Sequence, residues 1–426
     1  MKSMEISRYI FLIRKMLCPS MKPLFIVQEI GMDEFRELFG SLDAPAGKIV
    51  RAIASSGSVT ATELVSSTGL ARSTVSTLLT DLKERGIVLE GETRSGGFGR
   101  PTRLISLNPD KGFCAGVLLG LNELRIAVCD LAHTVLSDCW FEMPPDYTPE
   151  FAAEQVALHL KEQCDAIGIE ASKLIGLGLA VSAPVSFDGR ILNGSILPTW
   201  SGIDVANVFS SRIECPIFLE NESHCGALAE MTWGAAVGER NFVLFKFDLG
   251  IGGAIVINGT VQRGAFGNAA EFGHISLNPH GPLCRCGNRG CLETYAGGFN
   301  LMRIAEQATG KKVNLEEFVK LIQEGEPSYV RLMEDAAEMA GWGMGIASTI
   351  ISPPLFVISG KLALAGEPFV AALRRNFARH SLRPPNYAPE LRSPRFVTGK
   401  FTGNDDTVMG AVALVLHQHG QVSFPG

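Results

Sequence analysis

The residues best suited to chemistry in this 426-residue chain lie between His274 and Glu293, in HISLNPHGPLCRCGNRGCLE. His274, Cys284, Cys286 and Cys291 follow the spacing H-x9-C-x-C-x4-C. One imidazole and three thiolates make the ligand set of a four-coordinate zinc. Gly281, Gly287 and Gly290 would let so short a loop wrap around an ion. A disulfide is disfavoured, because Cys284 and Cys286 are too close to bridge without strain. A catalytic thiol and a chance cluster remain the alternatives, although a closed Cys3His sphere has no open position for chemistry. Read as a metal site, the loop holds one structural zinc per chain. The other cysteines (Cys18, Cys114, Cys129, Cys139, Cys164, Cys215 and Cys225) stand singly in apolar surroundings. They read as buried free thiols, which points to a reducing cytoplasm.

The elements that must carry this loop come from a chain long enough for two or three units. Its composition, 46% hydrophobic and 19% charged, fits large buried cores. A net charge of −6 argues against coating nucleic acid along the whole surface. Residues 43–111 nevertheless hold nine Lys/Arg against seven Asp/Glu, about +2, leaving about −8 for the remainder. The opening MKSMEISRYIFLIRKMLCPSMKPLFIV superficially resembles a signal peptide. Arg14 and Lys15 split its apolar run, Pro19 and Pro23 interrupt it, and no small-residue cleavage site follows. Met21 or Met32 could be the start. No apolar run reaches the roughly 18 residues that a membrane helix needs.

Three short helical patterns occupy residues 44–88. Thr60-Ala61-Thr62-Glu63 is a capping box and Gly69 a left-handed stop. The third helix, ARSTVSTLLTDLKERG, buries Val75, Leu78, Leu79 and Leu82 and exposes Arg72, Ser73, Thr74, Ser76 and Thr77. This is the helix-turn-helix pattern, with the bland alternative of a three-helix bundle that only mediates contacts. IVLEGE and TRLISLNP read as strands joined by TRSGGFGRP, a wing. In that wing Arg94 and Arg100 flank a glycine-rich loop, and Arg100 could enter a narrow minor groove. Lys83 would lie near phosphates.

From Gly112 the pattern turns to strands. FCAGVLLG, LRIAVCD and TVLSDCWF precede a helix begun by Thr148-Pro149-Glu150, and LIGLGLAV, PIFLEN, NFVLFKFDLGIGGAIVING and LFVISG follow. Helical segments are expected at 222–236, 297–309, 314–324 and 326–350. GVLLGLNELRIAVCD and LFKFDLGIGGAIVING each read strand, glycine turn, strand. That weak repeat suggests two similar lobes around a cleft, an α/β fold of the actin-like, ribonuclease-H-like kind. The expected division is an extension over 1–40, a winged helix-turn-helix over 41–111 and a two-lobed unit over 112–426. Its first lobe would span about 112–235 plus a C-terminal helix at about 405–426, and its second 236–404.

GGFGRP, EFGH (271–274), CRCGNRGCLE and STIISPPLFVISGKL together resemble the ROK family of repressors, open reading frames and sugar kinases, over about residues 40–420. The resemblance implies an actin-like fold, zinc on the four ligands named above and a sugar between the lobes. Sugar hydroxyls would be held by Asn221, Glu271, His274 and Glu293, with Asn193 helping and Glu222 at the position of the kinases' base. Both glutamates beside the zinc loop could instead orient its ligands. The kinases' first phosphate loop, D-x-G-G-T, is Leu118-Leu119-Gly120-Leu121-Asn122 here. Their second, G-T-G-x-G-G, is Asp248-Leu249-Gly250-Ile251-Gly252-Gly253, and their catalytic aspartate is Glu222. These departures imply a non-enzymatic regulator responsive to a sugar or sugar phosphate. It would bind a pseudo-palindromic double-stranded operator as a homodimer or dimer of dimers. An active kinase with a DNA-binding head, or a regulator sensing a sugar-transport protein, are the rivals.

Overall fold

The computed structural model describes residues 44–94, 102–170, 173–186, 189–192, 197–382, 393–401 and 405–418. Residues 1–40, Cys18, Arg100 and Asn193 lie outside them.

The head is three helices and a small sheet. Helices α1 (Pro45–Ser56), α2 (Ala61–Thr68) and α3 (Arg72–Glu84) are joined by β1 (Ser58–Val59) and followed by β2 (Val88–Arg94) and β3 (Thr102–Leu107). The sheet order is β1-β3-β2. The capping box forms as expected: Glu63 N donates to Thr60 Oγ1 at 3.2 Å, and Thr60 N to Glu63 Oε2 at 2.7 Å. Gly69 ends α2 at φ 68°. Ile49, Ile53, Leu64, Val75, Leu79 and Leu82 form the head's core. Leu78, expected among them, is only half-buried, because it sits at the edge of the apolar stripe.

Two sheets of one topology follow. The first runs through β4 (Phe113–Leu119), β5 (Glu123–Asp130) and β6 (Val135–Glu142) as an antiparallel meander. Helix α4 (Pro149–Ala166) then crosses to β7 (Leu174–Val181), parallel to β4, and α5 (Val205–Ser210) leads to β8 (Ile217–Asn221). The short helix α6 (Glu222–Thr232) begins directly after β8. The second sheet repeats the plan with β9 (Phe242–Phe247), β10 (Ile251–Ile257) and β11 (Thr260–Val261). Helices α7 (Glu293–Ala296), α8 (Gly298–Thr309), α9 (Leu315–Gln323) and α10 (Pro327–Ile351) precede β12 (Leu355–Ser359). Helix α11 (Glu367–His380) then reaches β13 (Arg395–Thr398). The strand orders, β6-β5-β4-β7-β8 and β11-β10-β9-β12-β13, are the same path used twice. The duplicated actin-like plan read from the two strand–turn–strand openings is therefore present. Helices α5 and α11 and strand β13 had no counterpart in the sequence reading.

The last helix, α12 (Asp405–Gln418), ties the parts together. It lies against β4, β7 and α6 at backbone distance. A Cβ on Gly116 would meet Val408 O at 2.4 Å, one on Gly178 would meet Ala411 O at 1.9 Å, and one on Gly410 would meet Cys225 O at 1.7 Å. Further along, Val412, Val415 and Leu416 share a core with Ile49, Val50 and Ile53 of α1, which seats the head on the first lobe. The single cysteines Cys114, Cys129, Cys164, Cys215 and Cys225 are buried and free, whereas Cys139 is half-buried on β6, an edge strand. No helix among the described residues is long and apolar enough to cross a membrane.

Gly178→Ala should destabilise the protein by about 3 kcal/mol, because backbone on both sides prevents relaxation. Gly91→Ala, with nothing within 4 Å of its added methyl, should cost well under that. Urea denaturation of the two variants checks the contrast, and equal costs would refute the account of α12 packing.

Candidate functional site

The metal-ligating residues converge. His274 closes a single 3-10 turn, Phe272–His274, after Glu271. The loop 281–291 folds back beside it through bridges pairing Ser276 with Cys291 and Leu283 with Arg289. Gly287 (φ 92°) and Gly290 (φ 62°) take conformations that other residues resist, and a Cβ on Gly290 would strike Asn278 O at 1.8 Å. The result brings one ligand atom from each of His274, Cys284, Cys286 and Cys291 within 4.8 Å of all the others. Cys284 Sγ lies 3.6 Å from His274 Nδ1, and Cys286 Sγ lies 3.7 Å from Cys291 Sγ. Tetrahedral bonds of about 2.3 Å to sulfur require sulfur–sulfur edges of about 3.8 Å, so the set fits a zinc-sized ion. Burial lowers the His274 pKa and so favours the neutral imidazole that ligates metals.

The proposed sugar residues gather beside this loop, but with unequal freedom. Asn221 caps α6: its Oδ1 accepts from Ser223 N at 2.8 Å and His224 N at 3.4 Å, while its Nδ2 donates to Ala183 O at 3.0 Å. One N–H of that amide is left. Glu222 accepts from Ser182 Oγ at 2.6 Å, and burial raises its pKa. Glu293 is heavily engaged. Arg285 grips both of its oxygens, at 2.7 and 3.2 Å, and Ile251 N donates to Oε2 at 3.0 Å. Burial opposes its ionisation, but Arg285 outweighs burial and holds the carboxyl below its usual value. Glu271 is the opposite case. Its carboxylate makes no hydrogen bond among the described residues, and burial pushes its pKa to about 7. Among the described residues, neither glutamate side chain hydrogen-bonds His274, Cys284, Cys286 or Cys291.

Sequence reading missed the charged layer beneath. Glu220 on β8 is buried, with Arg263 Nε at 2.5 Å, His224 Nδ1 at 3.0 Å and the Asn221 amide at 2.9 Å. Burial opposes its charge, yet His224 and Arg263 together hold its pKa down to about 2. Burial likewise opposes charge on His224, and Glu220 prevails and raises its pKa. The i,i+4 spacing of Glu220 and His224 at the start of a helix was a usable signal; nothing in the chain pointed to Arg263. Lys246, a lone lysine inside FVLFKF, is fully buried and donates to Thr407 Oγ1 at 2.5 Å and Asp406 Oδ1 at 3.4 Å.

The two stretches that the resemblance aligns with the kinases' phosphate loops are closely packed. Leu118 is fully buried, in a cluster with Ala127 and Val408. Asp248 accepts from Leu249 N at 2.9 Å and from Lys361 N at 3.1 Å. Gly250 and Gly252 lie so close to Glu293 and Ser223 that an added Cβ would fall 2.4 and 2.2 Å from their oxygens.

On the head, Arg72, Ser73, Ser76 and Thr77 are exposed along α3, and Thr74 is half-buried. Lys83 and Arg103 share the carboxylate of Glu90 on the surface of the head, Arg103 at 2.9 Å, so the three side chains together keep a net positive charge. Arg94 closes β2.

Two lobes of one topology, carrying a helix-turn-helix head, define an actin-like protein with an appended DNA-reading unit. The description "ROK family" matches residues 114–418, and "IclR helix-turn-helix domain" matches residues 46–90. The chain belongs to the ROK family. It is similar to the xylose repressor of Bacillus subtilis, 26% identical over 325 residues that cover 76% of this chain and 83% of that protein. Among solved structures it resembles a ROK hexokinase from Thermus thermophilus (TM-score 0.59, 30% identity, 71% of this chain and 97% of that one). It shares its fold over greater length with a ROK family transcriptional regulator, a homologue of the E. coli MLC protein (TM-score 0.69, 20% identity, 92% and 98%).

The raised His224 pKa means that its contribution to stability is full below about pH 6.5 and is lost as pH rises through the folded value. The lowered Glu220 pKa means that its contribution is present above 4.5 and is lost as pH falls toward 2. His224→Gln should therefore cost most near pH 5–6 and progressively less on the alkaline side. Urea unfolding measured across pH would show this, and a cost independent of pH would contradict it.

Proposed function

We propose that this chain is a sugar-responsive transcriptional repressor, which binds operator DNA through its head and a sugar in the cleft between its lobes. The observation that carries the reading is the state of the phosphate loops in a body joined to a DNA-reading head. The Leu249 and Lys361 amides that could face a nucleotide are satisfied by Asp248. An added carboxylate there also repels a triphosphate. The similarity to a xylose repressor supports the same choice, since that relative is a repressor named for a sugar.

In this reading Ser73, Thr74, Ser76 and Thr77 meet base edges and backbone in the major groove, with Arg72 beside a phosphate. Arg94 and Arg100 serve the wing. Lys83, which shares Glu90 with Arg103, lies near phosphates. One small head binds weakly, so a homodimer, or a dimer of dimers, on a pseudo-palindromic site is expected. His274, Cys284, Cys286 and Cys291 hold a structural zinc that fixes the loop carrying Arg285 and, through it, Glu293. The sugar's hydroxyls are taken by Glu271, Glu222 and the remaining Asn221 amide hydrogen, with Asn193, His274 and Glu293 completing the site. Ligand closing the cleft changes the spacing of two heads and hence operator affinity.

A kinase reading is favoured by the likeness to kinases, among them a hexokinase at 30% identity. A coupled ATP-consumption assay over hexoses, pentoses and amino sugars should be silent; turnover would favour the kinase. Fluorescence anisotropy on the upstream intergenic DNA should show binding that weakens steeply with salt and shifts on addition of a sugar. DNA binding that no sugar alters would favour a regulator that senses a sugar-transport protein, and no DNA binding would overturn the proposal. Cys286→Ser should lose bound zinc by elemental analysis and lose the sugar response; retention of both would remove zinc from the mechanism.

A further inference from the structure

The notable property of the cleft is what its charges already do. Besides His224, which pairs with Glu220, four lysine and arginine side chains stand around Asn221 and the 248–253 turn, and each is committed to the protein. Lys246 is buried against Asp406 and Thr407. Arg263 pairs with Glu220, and Arg285 holds Glu293 through two hydrogen bonds. Lys361 Nζ lies 2.9 Å from Glu316 Oε1. The backbone donors are committed in the same way. The first amides of α6, those of Ser223 and His224, point at Asn221 Oδ1. Leu249 and Lys361 N serve Asp248, and Ile251 N serves Glu293.

The carboxylates are less evenly matched. Glu222 is hydrogen-bonded by a hydroxyl with Lys246 in electrostatic reach, and Asp248 by backbone amides with Lys246 and Lys361 in reach. Glu271 has no hydrogen-bond partner among the described residues, and His224 and Arg285 lie within its electrostatic reach along with Glu293 and Glu222. The chain segments flanking these elements that fall outside the described residues, 187–188, 193–196 and 402–404, contain no lysine or arginine.

Resting on the sugar reading of this cleft, we infer that the effector is an unphosphorylated sugar, and that the cleft rejects the phosphate ester of the same sugar. A phosphate monoester brings a charge of about −1.5 to −2 at neutral pH and oxygens that need cationic or amide donors. Binding it would require one of four existing ion pairs to break, or would bury it beside Glu222 and Glu271. Hydroxyls are the complementary partner. Each one donates, and acceptor oxygens are what the cleft has in surplus. An ammonium group on the sugar would also be tolerated, since it adds the charge that the site lacks.

The test is isothermal titration of the zinc-loaded full-length protein with matched pairs: glucose and glucose 6-phosphate, N-acetylglucosamine and its 6-phosphate, xylose and xylose 5-phosphate. Like-charge juxtaposition costs several kcal/mol, so the free sugar of the responding pair should bind on the order of 100-fold more tightly than its ester. An ester that binds as tightly as its free sugar, or more tightly, overturns the inference while leaving the sugar reading intact. Silence from every sugar and every ester overturns the sugar reading and this inference with it. Glu271→Gln gives the second readout. Removing that carboxylate should weaken the free sugar and strengthen the ester, narrowing the ratio about tenfold. An unchanged ratio would show that Glu271 takes no part in the discrimination.

Discussion

The arrangement depends first on one buried ionic contact, from Lys246 of the second sheet to Asp406 and Thr407 of α12, which packs on the first. An ammonium with no exposure to water is tolerable only when its charge and donors are met, and removing one partner of such a pair costs about 3–5 kcal/mol. That demand fixes where the two lobes meet. It also fixes the first turn of α12, whose other end shares a core with α1 of the head. Cleft and head are thus joined by a single helix, pressed onto the first lobe by glycines that leave no room for a side chain. Packing this close leaves α12 little freedom to shift by fractions of an ångström; a rearrangement would have to be discrete.

Around that contact several polar groups are already engaged. Asp248, Glu293 and Asn221 have the chemistry of ligand-binding residues, yet each is largely occupied in holding backbone. Asp248 closes its own turn onto Lys361, Asn221 starts α6, and Glu293 secures both Ile251 N and Arg285. In the 248–253 turn the space above Gly250, Gly252 and Gly253 is filled by Glu293, Ser223 and Phe272, and that above Gly120 by Glu123. The metal loop acts on the same region from outside: Arg285 stands between two of its cysteines and grips Glu293, so the loop's shape sets how that carboxylate is presented.

Much of this was legible in the sequence, for reasons of local physics. A capping box, a glycine stop, a run of eight apolar residues in LIGLGLAV and a Cys/His spacing are signals that neighbouring residues create among themselves. Each produced the element it implied, and the two strand–turn–strand openings announced the duplicated lobe. The four metal-ligating residues lie within 18 positions of one another, so short-range geometry alone could bring them together.

What only the tertiary structure decided is which charges were already spent. Lys83 meets Glu90, seven residues on, across the start of β2. Glu293 and Glu271 looked equivalent, yet Arg285 occupies one and no described group hydrogen-bonds the other. Arg263 and Glu220 are 43 positions apart, and Lys246 and Asp406 are 160 apart. The sequence determines which groups carry charge and where helices and strands begin. Which charge meets which depends on how the sheets stack and where the last helix lies, and interactions between residues so distant in the chain leave no periodic trace along it.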